Sequence, residues 1–177
     1  MRAYLYHDTS EDPRRPHECT PSVVVGEAEL NRVGVLYWHC SGPNALDQVN
    51  AIARDRHYQN RDEITITPEK LPNYEARIKQ FFQEHIHEDE EIRYILEGAG
   101  YFDIRDHQDR WVRIQVTAGD LLVLPAGIYH RFTLDTGNYI RTMRLFKDEP
   151  KWEAIPRPSA NSNTYRTQYL AQFIPSA

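Results

Sequence analysis

The chain has 177 residues, a length at which a single domain with a substantial core is the usual outcome. Its 21 Lys and Arg residues against 26 Asp and Glu give a formal net charge of −5, and the absence of a basic run argues against nucleic acid or anionic lipid as a partner. The apolar runs are far too short to span a bilayer and the N-terminus lacks a secretory signal, so we expect a cytoplasmic protein.

The first half of the chain reads as a mixture of short strands and helices. The segments "RAYLYH" and "VLYWHC" are typical of short strands. Apolar residues recur at helical spacing in residues 46–53, after the turn "SGPN", and in residues 74–82, after "LPN". We therefore predict about three helices within residues 1–83, which form a mixed N-terminal part.

From residue 84 onward the pattern changes to short alternating or apolar runs, which predict six strands. The runs are "IRYILE", "GYFDIRD", "WVRIQV", "DLLVLP", "HRFTLD" and "YIRTMRLF", separated by turn segments such as "EGAG" and "TAGD". Strands at this spacing indicate a small antiparallel barrel or sandwich, with its core in residues 84–150. Residues 153–177 are rich in Pro and Ser, and we expect them to pack loosely on the surface. The fold class is thus mainly β, in one domain that spans residues 1–177.

The stretch "EHIHEDEEIRYILEG", residues 84–98, combines two histidines with five acidic side chains between Glu84 and Glu91. Because side chains alternate across a strand, His85 and His87 project from one face, roughly 6–7 Å apart, which is close enough for them to share one ion. By the same alternation Glu91 and Arg93 share a face; if the odd residues of this strand point inward, both side chains lie inside the barrel and need partners. The spacing alone is common, so a solvated acidic turn with incidental histidines remains the alternative at this point.

A second stretch, "GDLLVLPAGIYHRF" at residues 119–132, complements the first. A Gly-Asp turn leads into an apolar strand, Pro125 and Gly127 form a tight turn, and His130 begins the next strand. This arrangement places a third histidine at the start of a strand.

Together the two stretches resemble the paired motifs of the cupin superfamily. The first reads HxH, three residues and Glu91; the second reads Gly, five residues, PxG, two residues and His130. Lys79 stands where the first motif usually begins with Gly, and Leu134 stands where the second usually has Asn. Neither departure removes a ligand, so the resemblance favours a metal site over a solvated turn.

Further segments narrow the resemblance to one family. From about residue 3 to Trp152, "YLYHD", "YQNRDEI", "EEIRYILEGAGYFDIRD", "LPAGIYHRFTLD" and "RLFKDEPKW" resemble the acireductone dioxygenases in their eukaryotic form. The resemblance implies a cupin double-stranded β-helix with a few N-terminal helices. It also implies an oxidoreductase of the methionine salvage pathway that incorporates both atoms of O2 into the enediol 1,2-dihydroxy-3-keto-5-methylthiopentene.

The resemblance assigns the metal centre and its products. It implies that His85, His87, Glu91 and His130 bind one Fe(2+) or Ni(2+) per monomer. Four protein ligands leave two positions of an octahedron for a chelating substrate. The Fe(2+) form is expected to produce formate and 4-methylthio-2-oxobutanoate, and the Ni(2+) form 3-methylthiopropanoate, formate and carbon monoxide.

The resemblance also places four side chains in the substrate pocket. Arg93 and Arg144 lie near the substrate oxygens as catalytic residues, because a deprotonated enediol needs cations beside the metal. The alternative for Arg144 is an exposed strand position. Phe81 and Phe132 form an aromatic wall, although Phe81 fits a role in the core equally well.

Two other functions remain open at this point: a cupin isomerase or other metal enzyme acting on sugars, and a scaffold that keeps a metal for stability alone. Nothing outside the metal motifs resembles the isomerases. A scaffold would not need two arginines beside a metal with free coordination positions. We expect Cys19, Cys40 and the remaining histidines to be ordinary thiols and structural or surface residues. We further expect a monomer that binds acireductone and O2, with the nucleus as a second candidate location.

Overall fold

The computed structural model describes residues 1–151 and 153–176, so Trp152 of the "RLFKDEPKW" segment lies outside the described residues. The strands are β1 (Arg2–Leu5), β2 (Leu36–His39), β3 (Asn60–Ile66), β4 (His85–Ile86), β5 (Glu91–Arg105), β6 (Trp111–Thr117), β7 (Asp120–Leu124), β8 (His130–Leu134), β9 (Ile140–Phe146) and β10 (Ile155–Pro156). The helices are α1 (Glu27–Arg32), α2 (Ala45–Asp55), α3 (Tyr74–Phe81) and α4 (Thr164–Phe173), and a 3₁₀ turn (Ser159–Ser162) precedes α4. None of the helices in the described part of the chain is long and apolar enough to cross a bilayer.

Two antiparallel sheets share the long strand β5. The first part of β5 pairs with β7 and β9, and its second part, from residue 99, pairs with β6 and β8. One sheet therefore has the order β1-β6-β5-β8-β4-β10, and the other has the order β2-β7-β5-β9-β3. This architecture confirms the predicted fold class, a mainly β protein with an antiparallel cupin barrel and a few N-terminal helices.

The prediction of two separate strands on either side of "EGAG" is wrong, because β5 continues through this segment. Gly98 has a φ of +80°, and the register of β5 against β9 shifts between Ile95 and Glu97. A Cβ atom at Gly98 would collide with the backbone carbonyl oxygen of Tyr139. Glycine and the bulge together allow the strand to bend from one sheet into the other without breaking.

The first half of the chain contains the predicted strands β1 and β2 and the predicted helices, together with a strand that the sequence pattern did not predict. This strand, β3, begins with the polar and charged residues "NRDE" and alternates only in "ITI". It pairs along its full length with β9, from Asn60 opposite Phe146 to Ile66 opposite Ile140. Its position completes the second sheet beside the cavity described below.

Strand β7 explains how the core is divided, because it is buried on both faces. Leu122 and Leu124 belong to the main cluster, which lies between the two sheets. Leu121 and Val123 belong to a second cluster on the outer face, where Val49 of α2 packs. The uninterrupted apolar run of β7 therefore follows from the alternation of side chains across a strand that is covered on both sides.

The expectation of a loosely packed tail is wrong for the described residues 153–176. Strand β10 pairs with β4, and Ala160 is fully buried. The side chain of Asn163 caps α4 by accepting a hydrogen bond from the Tyr165 backbone N–H at 2.8 Å. Tyr169 is 3% exposed, and its hydroxyl donates to the backbone carbonyl of Val33 at 2.9 Å. An aromatic anchor and a capped helix therefore fix this segment to the barrel.

Candidate metal centre

Three histidines and one glutamate converge at one end of the barrel. His85 lies in β4, His87 follows it, Glu91 begins β5 and His130 begins β8. His85 is opposite His130 in the antiparallel register. One nitrogen of each histidine and one carboxylate oxygen all lie within 4.8 Å of one another. The structure thus brings together the four residues that the two sequence motifs predicted as ligands.

Backbone carbonyl groups orient each of the three imidazoles. Nδ1 of His85 lies 2.6 Å from the Gln83 carbonyl oxygen, and Nδ1 of His130 lies 2.9 Å from that of Ile128. Nδ1 of His87 lies 2.9 Å from the carbonyl oxygen of a tail residue, Glu153. Because a carbonyl only accepts hydrogen bonds, Nδ1 carries the proton in each ring and Nε2 is left as the donor atom for a metal.

The geometry around Glu91 supports the fit of a metal to this site. Its Oε2 lies 2.8 Å from Nε2 of His130 and 3.3 Å from Nε2 of His87, so the ligand atoms point toward a common centre. Three imidazoles and one carboxylate suit divalent ions of the first transition series. A His-His-Glu-His metal-binding site is therefore present.

The pKa shifts of His85 and Glu91 favour the protonation states in which these side chains can bind a metal. Burial and the neighbouring His130 lower the pKa of His85 to about 3, so this ring is neutral at physiological pH. Burial disfavours the charged form of Glu91, but the charges of Arg93 and His130 outweigh it and hold the pKa of the carboxyl well below its usual range. Burial likewise opposes the charge on His87, yet its hydrogen bond to Glu91 raises its pKa above the ordinary value. In the metal-free protein, His87 therefore holds its second proton up to a higher pH than an ordinary histidine does, and an incoming metal competes with that proton.

We expect metal affinity to fall as the pH drops through the raised pKa of His87. Below that pKa the proton competes with the metal, and each pH unit should weaken the apparent affinity by about tenfold per displaced proton. Titration of the metal-free protein with Ni(2+) between pH 5.5 and 8.5 measures this dependence. In buffers of different ionisation enthalpy, calorimetry should show proton release on binding. A pH-independent affinity without proton release would contradict the assignment of His87 as a ligand.

Arg93 and Arg144 lie opposite each other in the register of β5 and β9, and both line the cavity beside the metal site. Nη2 of Arg93 lies 3.4 Å from Oε1 of Glu91, and Nη1 donates to the Ile92 carbonyl at 3.0 Å. Burial and the charge of Arg144 lower the pKa of Arg93, although the Glu91 carboxylate opposes this shift. Arg144 donates from Nε and Nη2 to the two carboxylate oxygens of Asp62 at 2.8 and 2.7 Å. Two neighbouring cations thus face the space next to the ligands.

A cavity of about 510 Å³ opens onto the four ligands. Phe81 and Phe132 both line it, with ring centroids 6.2 Å apart in an edge-to-face arrangement, and Phe81 also packs against the main core cluster. A Cβ atom at Gly100 would lie 2.9 Å from the Phe132 ring, so this glycine makes room for the aromatic wall. The other apolar side chains in the lining are Ile64, Ile66, Ile95, Phe102, Ile140 and Ala154. The cavity therefore has a charged end at the ligands and a largely apolar remainder, to which Arg77, Gln80, Gln83 and Thr142 add polar groups.

Sequence reasoning missed two contributions to this site. Ile64 and Ile66 come from the unpredicted strand β3, for which the alternation in "ITI" was the only local signal. The carbonyl oxygen of Glu153 comes from the tail and orients His87. A sequence pattern cannot predict a hydrogen bond between His87 and a backbone carbonyl 66 residues later in the chain.

The remaining histidines and cysteines play no part in the centre. Among the described residues, no other group of three or more His, Cys, Asp or Glu side chains comes close enough to hold a metal. His17 is buried, with Nε2 2.8 Å from the carbonyl oxygen of Asp12, and exposed His39 contacts Asp120. Cys19 and Cys40 are free thiols.

Comparison with known proteins gives consistent matches along the chain. A sequence model of the ARD/ARD′ family matches residues 2–154. Acireductone dioxygenase from Tuber melanosporum is 52% identical over 172 residues, which cover 96% of each chain. That from Yarrowia lipolytica is 53% identical and covers 94% of this chain and 96% of its own; that from Branchiostoma floridae is 52% identical and covers 96% of each. These matches confirm the resemblance that the motifs predicted, including its eukaryotic form.

A solved structure illustrates the likeness of the fold. Acireductone dioxygenase from Bacillus anthracis, with a cadmium ion in its active centre, superposes with a TM-score of 0.69 at 21% sequence identity. The match covers 88% of this chain and 98% of that chain. At this identity the likeness concerns the fold alone, and it agrees with the cupin architecture of two sheets joined by β5.

Proposed function

The chain belongs to the ARD/ARD′ family and acts as a metal-dependent acireductone dioxygenase, and from this premise we propose its metal, substrate and products. The substrate that we propose is 1,2-dihydroxy-3-keto-5-methylthiopentene, which the enzyme cleaves with O2 in the methionine salvage pathway. The observation that carries the proposal is the His85, His87, Glu91 and His130 cluster at the charged end of the cavity.

We propose Fe(2+) or Ni(2+), one per chain, as the metal. The ligand set of three nitrogens and one carboxylate oxygen supports this choice, because such sets suit iron and nickel. The related bacterial enzyme, with cadmium in its active centre, is consistent with a divalent ion. When bound, the ion supplies a Lewis acid and a template for two substrate oxygens.

The side chains of the cavity divide the recognition of the substrate between them. Arg93 and Arg144 supply positive charge beside the ligands, where the deprotonated enediol would carry its negative charge. The aromatic wall of Phe81 and Phe132 supplies apolar surface for the methylthio chain. The two ends of the cavity thus match the anionic head and apolar tail of one molecule.

Protein loaded with Fe(2+) is expected to yield formate and 4-methylthio-2-oxobutanoate. Protein loaded with Ni(2+) is expected to divert at least part of the substrate to 3-methylthiopropanoate, formate and carbon monoxide. The chain supplies the same four ligands and the same pocket to either ion, so any difference between the products has to come from the ion. The test strips the metal, reloads each ion separately, and quantifies carbon monoxide and both acids under O2.

Two controls complete this experiment. Metal-free protein should consume acireductone no faster than the buffer does. A preparation reloaded first with Ni(2+) and then, after stripping, with Fe(2+) should recover the Fe(2+) product pattern, which excludes damage during stripping. Identical product mixtures from both preparations would show that the pocket alone dictates the outcome.

The remaining expectations stay predictions: a single domain over residues 1–177, a monomer, and a cytoplasmic location with the nucleus as a second candidate. The net charge of −5 and the lack of a basic run support the absence of a nucleic acid partner.

A further inference from the structure

A row of charged residues crosses the second sheet and ends at the metal site. Asp62 of β3 is opposite Arg144 of β9, and Arg144 is opposite Arg93 of β5. Arg93 in turn lies beside Glu91, with 3.4 Å between Nη2 and Oε1. The row therefore begins with an outer carboxylate, continues with two neighbouring cations and ends at the carboxylate of a metal ligand.

The two cations repel each other, so another interaction has to hold them side by side. Like charges on directly opposite positions of neighbouring strands repel, and burial makes the repulsion at Arg93 stronger. Asp62 offsets the charge of Arg144, and it accepts hydrogen bonds from both Nε and Nη2, which fixes the plane of the guanidinium. Arg144 lines the cavity, whereas Asp62 is not among the lining residues.

We propose that Asp62 is a positioning residue, which acts on the substrate chiefly by orienting Arg144. Asp62 holds the guanidinium of Arg144 in one orientation, so the side chain loses little conformational entropy when it binds the enediolate. This inference rests on the proposed function, because it needs Arg144 to bind the substrate anion.

The same pair of strands contains a matched ion pair that lacks this role. Arg141 of β9 donates to Glu63 of β3 at 2.9 Å, and it also contacts Glu97. The side chain of Arg141 is 38% exposed and that of Glu63 48% exposed, and neither lines the cavity. Glu63→Gln therefore removes a carboxylate from the next position of β3 on the opposite face, and it controls for general effects on this sheet.

The test is a double-mutant cycle measured on metal-replete protein, with Asp62→Asn, Arg144→Ala and the combination of the two. We expect Asp62→Asn to lower kcat/KM by about tenfold, chiefly through KM, because positioning a binding cation affects ground and transition states alike. Metal content and the product ratio should not change. In the Arg144→Ala background, Asp62→Asn should have at most a small further effect on kcat/KM, because the charge of Asp62 also acts on Arg93 from a greater distance.

The outcomes separate this inference from the proposed function. If Arg144→Ala leaves kcat/KM unchanged, the proposed role of Arg144 fails. If Arg144→Ala slows the enzyme but Asp62→Asn leaves kcat/KM unchanged or raises it, only the positioning role fails. An equal loss from Asp62→Asn in both backgrounds, or a similar loss in Glu63→Gln, would show a general structural effect and overturn the inference as well. Thermal unfolding of each variant accompanies the kinetics.

Discussion

Replacement of His87 by Ala is expected to reduce the bound metal to a small fraction of one ion per chain and to lower turnover by more than about 100-fold. Even indirect partners of metal ligands contribute about 10–100-fold to affinity, so a direct ligand should contribute more. His130→Ala should have the same consequence, because Nε2 of both rings faces the same carboxylate oxygen of Glu91. Elemental analysis of protein purified with and without added Fe(2+) or Ni(2+) measures the loss.

The two variants are expected to destabilise the fold to different extents. The His87 side chain is 18% exposed and that of His130 only 3%, so His130→Ala leaves the larger buried gap. Circular dichroism should show that His87→Ala keeps the barrel. The control is His107→Ala, which removes an exposed histidine away from the site and should keep full metal content. Full metal occupancy in both His87→Ala and His130→Ala would refute the assignment of these ligands.

The metal ligands were predictable because local rules indicate where their side chains point and because the paired motifs resemble those of the cupin superfamily. The period of two along a strand places His85 and His87 on one side and Glu91 on the interior face, and the tight turn at Gly127 returns the chain to His130. The alternation along β5 also predicted that Arg93 lies on the cavity side of the strand, whereas its neighbours Ile92 and Tyr94 pack in the outer cluster. These relations need only a few residues of sequence each, and so a single sequence reveals them.

The parts that sequence reasoning missed depend on distant contacts. The bend of β5 at Gly98 depends on its approach to Tyr139, which a local reading mistakes for a turn between two strands. The docked tail depends on a hydrogen bond between Tyr169 and Val33, 136 residues away in sequence. The charged start of β3 is compatible with a strand because β9 offers Arg144 as a partner to Asp62. Tertiary context therefore overrides the local pattern at each of these positions.

Arg93→Ala is expected to lower kcat/KM by about 10²–10³-fold while the metal content stays near one ion per chain. Removal of one preorganised donor from a developing negative charge typically costs this much. The side chain of Arg93 is only 14% exposed, so little water can replace the lost cation. Arg93→Lys should lose less, because it keeps the charge but not the fork of N–H groups. Steady-state kinetics on metal-replete protein, with metal content measured on the same samples, provides the test.

A second consequence distinguishes a role in substrate binding from a role in holding Glu91. The charge of Arg93 is one of the influences that keep the pKa of Glu91 low, so its removal raises that pKa and should weaken metal binding at low pH. At pH 8, where Glu91 stays ionised, Arg93→Ala should bind metal normally and still turn over slowly. Arg141→Ala, which removes an exposed arginine from β9, should keep normal kinetics. Unchanged kcat/KM in Arg93→Ala at pH 8 would remove Arg93 from the substrate site, and a loss of activity that only follows a loss of metal would assign it to Glu91 instead.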